Sequence, residues 1–239
     1  LEKDPQMIMW DPETLPEIET IADLGEADVP VRVFPGGYYI DYFVSTGVLS
    51  ADQIDSTYDG APDVFVGAGG TIAQQGFASA EPYIYENEIA AWGKPVAFEL
   101  INDAGYPKYP AVVSVKPETI TEYADCLTAL VPVLQQAAVD YYADPVETNA
   151  LILDAVEAYN SFWVYSAETA EFSVAAQLEL GLAGNGHDDI VGNIDPERLQ
   201  SLIDIATEMY GADEEKGIVT DLTADVIFDD SFIDPSIGF

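Results

Sequence analysis

Two short stretches carry residue types from which a binding site could be made. The first is "FPGGYYID", Phe34–Asp41. Pro35, Gly36 and Gly37 break an apolar run and lead into a helical one. Glycines at such a junction leave the first backbone N–H groups of the helix bare and approachable. A site of that kind accepts an anion or a carbonyl oxygen. Tyr38 and Tyr39 begin the helix, where a ring can stack on a flat ligand and a hydroxyl can bond to it. The plainer alternative is a tight turn with both tyrosines in the core. The spacing is not a dinucleotide fingerprint, because G-x-G-x-x-G is missing.

The second stretch is "GFASAEPYIYENE", Gly76–Glu88. Ala78, Ser79 and Ala80 are small enough for backbone to come close to a ligand. Glu81 precedes Pro82, which favours an extended conformation and would aim the carboxylate from a strand end. A carboxylate only accepts hydrogen bonds, so its partner would carry ring N–H or amino groups. Tyr83 and Tyr85 supply flat faces, while Glu86 and Glu88 read as solvated. An acid-rich surface loop is the alternative.

Other chemistries find little support. His187 is the one histidine, so a histidine-rich metal site is impossible, and no nucleophile elbow lies near it. Cys126, the single cysteine, excludes an intrachain disulfide. In "YADCLTAL" it reads as a buried small hydrophobe, and the neighbouring Asp125 opposes a reactive thiolate. Among 44 acidic residues no spacing singles out a glycosidase pair. No D-x-D-x-D-G calcium loop with a closing glutamate is present. No metal, cofactor or catalytic residue is assigned, and an enzyme is not expected.

The elements that must position these residues are legible as a change of character along the chain. The 239 residues suffice for one large domain or two lobes. Hydrophobic content of 49% with 11% aromatics excludes a disordered acidic tail. A formal net charge of −37 repels DNA, RNA and anionic membranes. Acids dispersed along the whole chain suggest a protein that works in brine, where screening relieves their repulsion. No apolar run reaches a membrane span, and no signal peptide is present.

Strands are expected at Met7–Trp10, Val31–Phe34, Ile72–Phe77, Lys94–Ile101 and Ala111–Val115. Asp63–Ala68 is compatible with helix or strand, and Glu81–Trp92 reads as a loop turning into a helix. From Pro117 onward the apolar period becomes helical, with Pro132 expected to kink or split one helix. A helix opening at Asp144-Pro145 has Leu151, Ala155, Val156 and Tyr159 on one face. Another runs from about Ser166 to Leu180. Asp195-Pro196 is a helix start signal. Strand–helix units followed by a helical block suggest an α/β protein in two lobes, with Asn102–Pro110 crossing between them.

The run Tyr58–Pro110, "YDGAPDVFVGAGGTIAQQGFASAEPYIYENEIAAWGKPVAFELINDAGYPKYP", resembles the solute-binding proteins of ABC importers. The likeness is to the branch for nitrate, sulfonates, taurine and thiamine-pyrimidine precursors. "IADLG", "FPGGYYIDYFVSTGVLSADQID", "DPVETNALILDAVEAYN" and "GNGHDDIVGNID" extend it over nearly the whole chain. The resemblance implies a two-lobe, type 2 periplasmic-binding-protein-like α/β fold with ligand in the cleft and a hinge between lobes. It implies residues 1–19 as the end of one lobe and a crossing strand, 20–98 as the second lobe, and 99–239 as a crossing and the helical remainder of the first. The opening part of the first lobe, on the order of a hundred residues, is expected upstream of Leu1.

On this likeness Gly36, Gly37 and Tyr38 face the cleft, Ser79, Glu81 and Tyr83 line the opposite rim of the same lobe, and Trp10 stacks on the ligand. Glu81 then favours a small flat nitrogen-containing ligand such as an aminopyrimidine, a thiamine precursor or a flavin-like ring. It disfavours nitrate or a sulfonate, as does the scarcity of arginine, Arg32 being the only one in the first 197 residues. The expected partners are that small molecule and an ABC permease, with no nucleic acid. The expected location is extracellular or periplasmic, with a lipid anchor at the cell surface. The alternatives are a pyrimidine-synthase-like enzyme of the same fold and a surface structural protein derived from a binding protein.

Overall fold

The computed structural model describes residues 1–160, 164–217, 219 and 221–239. The first half alternates strands and helices: β1 (Gln6–Trp10), α1 (Ile21–Glu26), β2 (Val31–Arg32), α2 (Tyr38–Ser45), β3 (Ile54–Asp55), α3 (Asp63–Gly67), β4 (Ala73–Phe77), α4 (Glu81–Asn87) and β5 (Ala97–Leu100). The second half is helical: α5 (Pro117–Glu122), α6 (Ala124–Ala143), α7 (Val146–Tyr159), α8 (Ala167–Glu179), α9 (Pro196–Tyr210) and α10 (Ala224–Ile227). The fold is α/β, with one mixed five-stranded sheet among the described residues.

The chain forms two compact units. One comprises Asp4–Lys108 with Ile205–Val219, and the other Leu1–Lys3, Tyr109–Asp204 and Thr220–Phe239. One boundary between the units lies at Lys108/Tyr109. β1, within the segment 1–19, pairs on both sides and so belongs inside the sheet.

The strand order is β3-β2-β4-β1-β5. β2 runs parallel to β3 and β4, and β1 is antiparallel to both β4 and β5. Met7 and Met9 point to one face of β1, Ile8 and Trp10 to the other, and all four are at most 1% exposed. A strand apolar on both faces requires cover on both faces. Ile8, Trp10, Val31, Val33 and Ala73 pack with Ile21 and Leu24 of α1 and with Tyr39 and Phe43 of α2. On the opposite face Phe65 of α3 and Tyr85 of α4 meet edge to face at 5.4 Å, beside Trp92.

Arg32 ends β2 with a buried guanidinium. It donates to the Thr57 carbonyl at 2.9 Å, lies 3.7 Å from Asp55 and 3.8 Å from Asp59, and sits over the Tyr58 ring. This arginine fastens the β3 edge and is a structural cation.

The local expectations are met in part. Ala111–Val115 forms no strand, since no neighbour offers it a ladder. Asp63–Gly67 is helical. Helix α6 continues through Pro132 for 20 residues. Cys126 is exposed, because Leu127, one position on, takes the buried place on α6. No residue of α7 is buried, and Leu151 and Tyr159 of its expected apolar face are 67% and 85% exposed. The Asp195 signal is realised: its carboxylate accepts from the Glu197 N–H at 2.9 Å at the start of α9.

Candidate functional site

A parallel sheet offers ligands a crevice outside the carboxyl ends of adjacent strands whose connections leave in opposite directions. β2 and β4 are such a pair. The chain leaves β2 through α2 toward β3 on one side, and leaves β4 through α4 toward β5 on the other. A pocket of about 280 Å³ lies at this point. Its walls are the β2–α2 turn from Phe34 to Tyr39, Gln75 of β4, Gln6 at the start of β1, and Tyr106 and Lys108 after β5.

The turn is built by glycine. Gly36 has φ of +82°, a conformation that costs a residue with a Cβ. Gly37 is the residue before α2, and no side chain caps the helix. A Cβ on Gly37 would lie 2.7 Å from the Tyr39 ring. The first turn of α2 is therefore presented as bare backbone.

Gln75 forms the floor and is 1% exposed. Its Oε1 accepts the Phe34 N–H at 3.0 Å and the Tyr39 O–H at 2.5 Å. Burial pushes the Tyr39 hydroxyl far above its ordinary pKa, so it stays a donor. Both lone pairs of the amide oxygen are thus occupied, while the buried Nε2 has no partner among the described residues. Beside it Lys108 Nζ donates to Asp4 Oδ2 and to Gln6 Oε1, both at 2.8 Å.

Tyr38 stands at the mouth, 59% exposed. Its ring meets Tyr210 edge-on at 6.0 Å, and the Tyr210 hydroxyl donates to Asp41 at 2.5 Å. Lys216 Nζ lies 4.9 Å from the Tyr210 ring centre and 5.7 Å from that of Tyr38.

The structure brings Gly36, Gly37 and Tyr38 together at this pocket and places the other candidates elsewhere. Trp10 is at the far end of β1, 1% exposed, with its Nε1 donating to the Ile18 carbonyl at 3.1 Å. It is a core residue. Ser79 and Tyr83 are half-buried between and along β4 and α4, outside the lining. Glu81 is the first residue of α4, helical despite the following proline, because Pro82 occupies the first turn, where its missing N–H costs nothing.

The Glu81 carboxylate accepts the Phe77 N–H at 2.8 Å. Its Cγ lies 3.1 Å from where a Cβ of Gly76 would stand. Successive residues of a strand face opposite sides, so Glu81 lies under the face opposite Gln75. The expected clash of Glu81 with an anionic ligand therefore has no basis at this pocket.

Burial raises the Glu81 pKa above the ordinary 4.5. A carboxyl whose folded pKa is raised binds protons more tightly in the folded state, so it lowers stability as pH rises from about 4.5 upward. Glu81→Gln keeps an oxygen for the Phe77 N–H and removes this penalty. Its melting temperature should exceed that of the wild type at pH 7, by about 2–4 °C for ~1 kcal/mol. The gap should close toward pH 4. Equal melting temperatures across that range would show that the buried charge costs nothing.

A second concavity of about 800 Å³ lies wholly in the helical unit, lined mainly by Val113, Leu127, Val131, Leu134, Phe232 and Phe239. It is larger and more apolar, and Gln135 and Tyr142 in its lining are matched internally. Gln135 donates to the Val191 and Asp234 carbonyls and accepts from the Asp234 N–H. Tyr142, its hydroxyl pushed up to about 12 by burial, donates to Gln177.

Gln6, Gln75, Tyr106 and Lys108 were not singled out from sequence. The signal for Gln75 was the pair Gln74-Gln75 inside a strand that otherwise reads as buried. Gln74 is 0% exposed and donates to the Tyr85 hydroxyl at 2.8 Å on the other face. Buried amides in a strand demand partners.

Among the described residues no group of three or more His, Cys, Asp or Glu is placed to hold a metal ion. His187 lies 3.6 Å from Asp188. No helix among the described residues is long and apolar enough to cross a membrane. No protein-family model matches the chain, and no curated protein matches it.

Proposed function

We propose that this chain is the ligand-recognising part of an extracytoplasmic solute receptor for a membrane permease, with the β2–β4 crevice as its binding site. The observation that carries this reading is the unpartnered Nε2 of Gln75, buried in the floor of a pocket at the strand ends. A buried donor without a partner costs roughly 1–3 kcal/mol, and a bound solute would satisfy it. The rings of Phe34, Tyr38 and Tyr106 in the walls suit a small flat molecule. The groups assembled there are donors and ring faces, which bind, and Lys108 is engaged by Asp4 and Gln6.

The type 2 two-lobe arrangement, the ABC permease as partner and a lipid anchor at the cell surface belong to the same proposal and rest on the sequence resemblance. Glu81, Ser79, Tyr83 and Trp10 take no part in the site as proposed.

Thermal-shift screening in high salt tests it, with aminopyrimidines, thiamine, riboflavin, taurine and nitrate as the panel. A ligand at 100 times its Kd adds about 2.7 kcal/mol to the folded state, roughly 5–10 °C here. The shift should be lost in Tyr38→Ala and kept in Tyr83→Ala. A shift with the opposite dependence would move the site to α4, and no shift from any member would count against a receptor for this class of solute.

A further inference from the structure

We propose that the pocket takes the oxyanion end of its solute, and that Gln75 is the residue that selects it. This rests on the pocket being the binding site, and it names which chemical group enters. The polar groups of the floor lean toward donors. Gln75 Oε1 is filled by the Phe34 N–H and the Tyr39 O–H, and Gln6 Oε1 accepts from Lys108. The amide left over is a donor, Gln75 Nε2.

The backbone adds donors of the same sense. α2 is eight residues long and begins after Gly37 without a side-chain cap, and Gly37, Tyr38 and Tyr39, at the positive end of its dipole, line the pocket. No carboxylate is in the lining. The nearest acids are held from outside it: Asp4 by Lys108, and Asp41 by the Tyr210 hydroxyl. A ligand group that only donates, such as a ring N–H or an amino group, would face an amide N–H and bare helix N–H groups, with only tyrosine hydroxyls and Gln6 Oε1 as side-chain acceptors. A carboxylate, phosphate or similar oxyanion would meet donors from two independent elements.

Gln75 rather than the turn sets the choice, because its orientation is locked. Turning the amide over would set Nε2 against the Phe34 N–H and leave that N–H without its acceptor. Gln75→Glu preserves the lock, since one carboxylate oxygen can still accept from Phe34 and Tyr39. It replaces the free donor by an acceptor of negative charge, and so reverses the polarity of the floor with almost no change of shape.

The test is a ¹⁵N NMR titration of the wild-type chain in 1 M KCl, read at the Gln75 side-chain amide and at the Gly37 and Tyr38 backbone amides. The probes are acetate, inorganic phosphate and sulfate, with cytosine as the donor-bearing flat control. At least one anion should move these three signals saturably and together, and cytosine should not. In Gln75→Glu the apparent affinity for that anion should fall at least tenfold, with the Phe34 amide signal little changed. If cytosine saturates the three signals and the anions leave them still, the pocket remains the binding site and the oxyanion assignment is overturned. If no probe moves them, both fall. Should the variant not fold, the wild-type titration decides by itself.

Discussion

Lowering the salt from about 2 M to 0.1 M should cut the melting temperature by roughly 8–16 °C. The chain holds 44 acidic residues against 7 basic ones, a net charge of −37. In 1 M salt the Debye length is about 3 Å, and at 0.1 M it is about 10 Å. Carboxylates that ignore one another in brine therefore interact in dilute buffer. Two charges 10 Å apart in water repel by about 0.4 kcal/mol before screening. A net loss of only ~0.1 kcal/mol per excess charge amounts to about 4 kcal/mol, at 2–4 °C per kcal/mol for a chain of this size. Several of the basic residues are already committed to local pairs: Arg32 to Asp55 and Asp59, Lys94 to Asp11 and Glu13, Lys108 to Asp4, Arg198 to Glu2. These pairs leave most of the acidic surface uncompensated. Calorimetry in KCl and in NaCl checks the effect. A melting temperature that stays level or climbs as salt is withdrawn would end the brine-adapted interpretation.

Trp10→Ala should cost about 3–5 kcal/mol, as large aromatic deletions in packed cores do. Trp10 is 1% exposed and packs among Ile8, Ile18, Ile21 and Leu24 between the sheet and α1. The substitution opens a cavity, and it leaves the Ile18 carbonyl without the indole N–H at 3.1 Å. Trp10→Phe should recover most of the loss, because the ring volume matters more than the one hydrogen bond. Neither variant should alter the affinity of a ligand found by screening, measured well below the melting temperature. Near-normal stability together with lost binding would place Trp10 at the ligand after all.

The division between what was legible and what was not follows the range of each interaction. Strand and helix periodicity are local, so β1, β4, the β2–α2 junction and the start of α9 stand in the sequence within a residue or two. The Pro35-Gly36-Gly37 break announced a helix N-terminus because turn chemistry is local as well. Ala111–Val115 has the composition of a strand, but a strand needs a neighbour, and composition cannot supply one.

Glu81 and Gln75 show the limit most clearly. Both lie in the same stretch, six residues apart, and the charged one drew attention because a carboxylate has obvious chemistry. Their roles were decided by which face of β4 each addresses and by partners far along the chain. Gln75 meets Tyr39 and Phe34 across 36 and 41 residues. Gly25 tells the same story in packing. Within α1 an alanine would be favoured by helix propensity, yet a Cβ there would stand 1.9 Å from the Val48 carbonyl oxygen.

By itself, then, the sequence determined the net charge of −37, the α/β succession of elements and the glycine turn that bares a helix end. Only the tertiary structure decided which buried polar atoms have their partners and which, Gln75 Nε2 among them, have none among the described residues. Hydrogen-bond satisfaction is a property of neighbours in space, and those neighbours exist only once the sheet and α2 have come together.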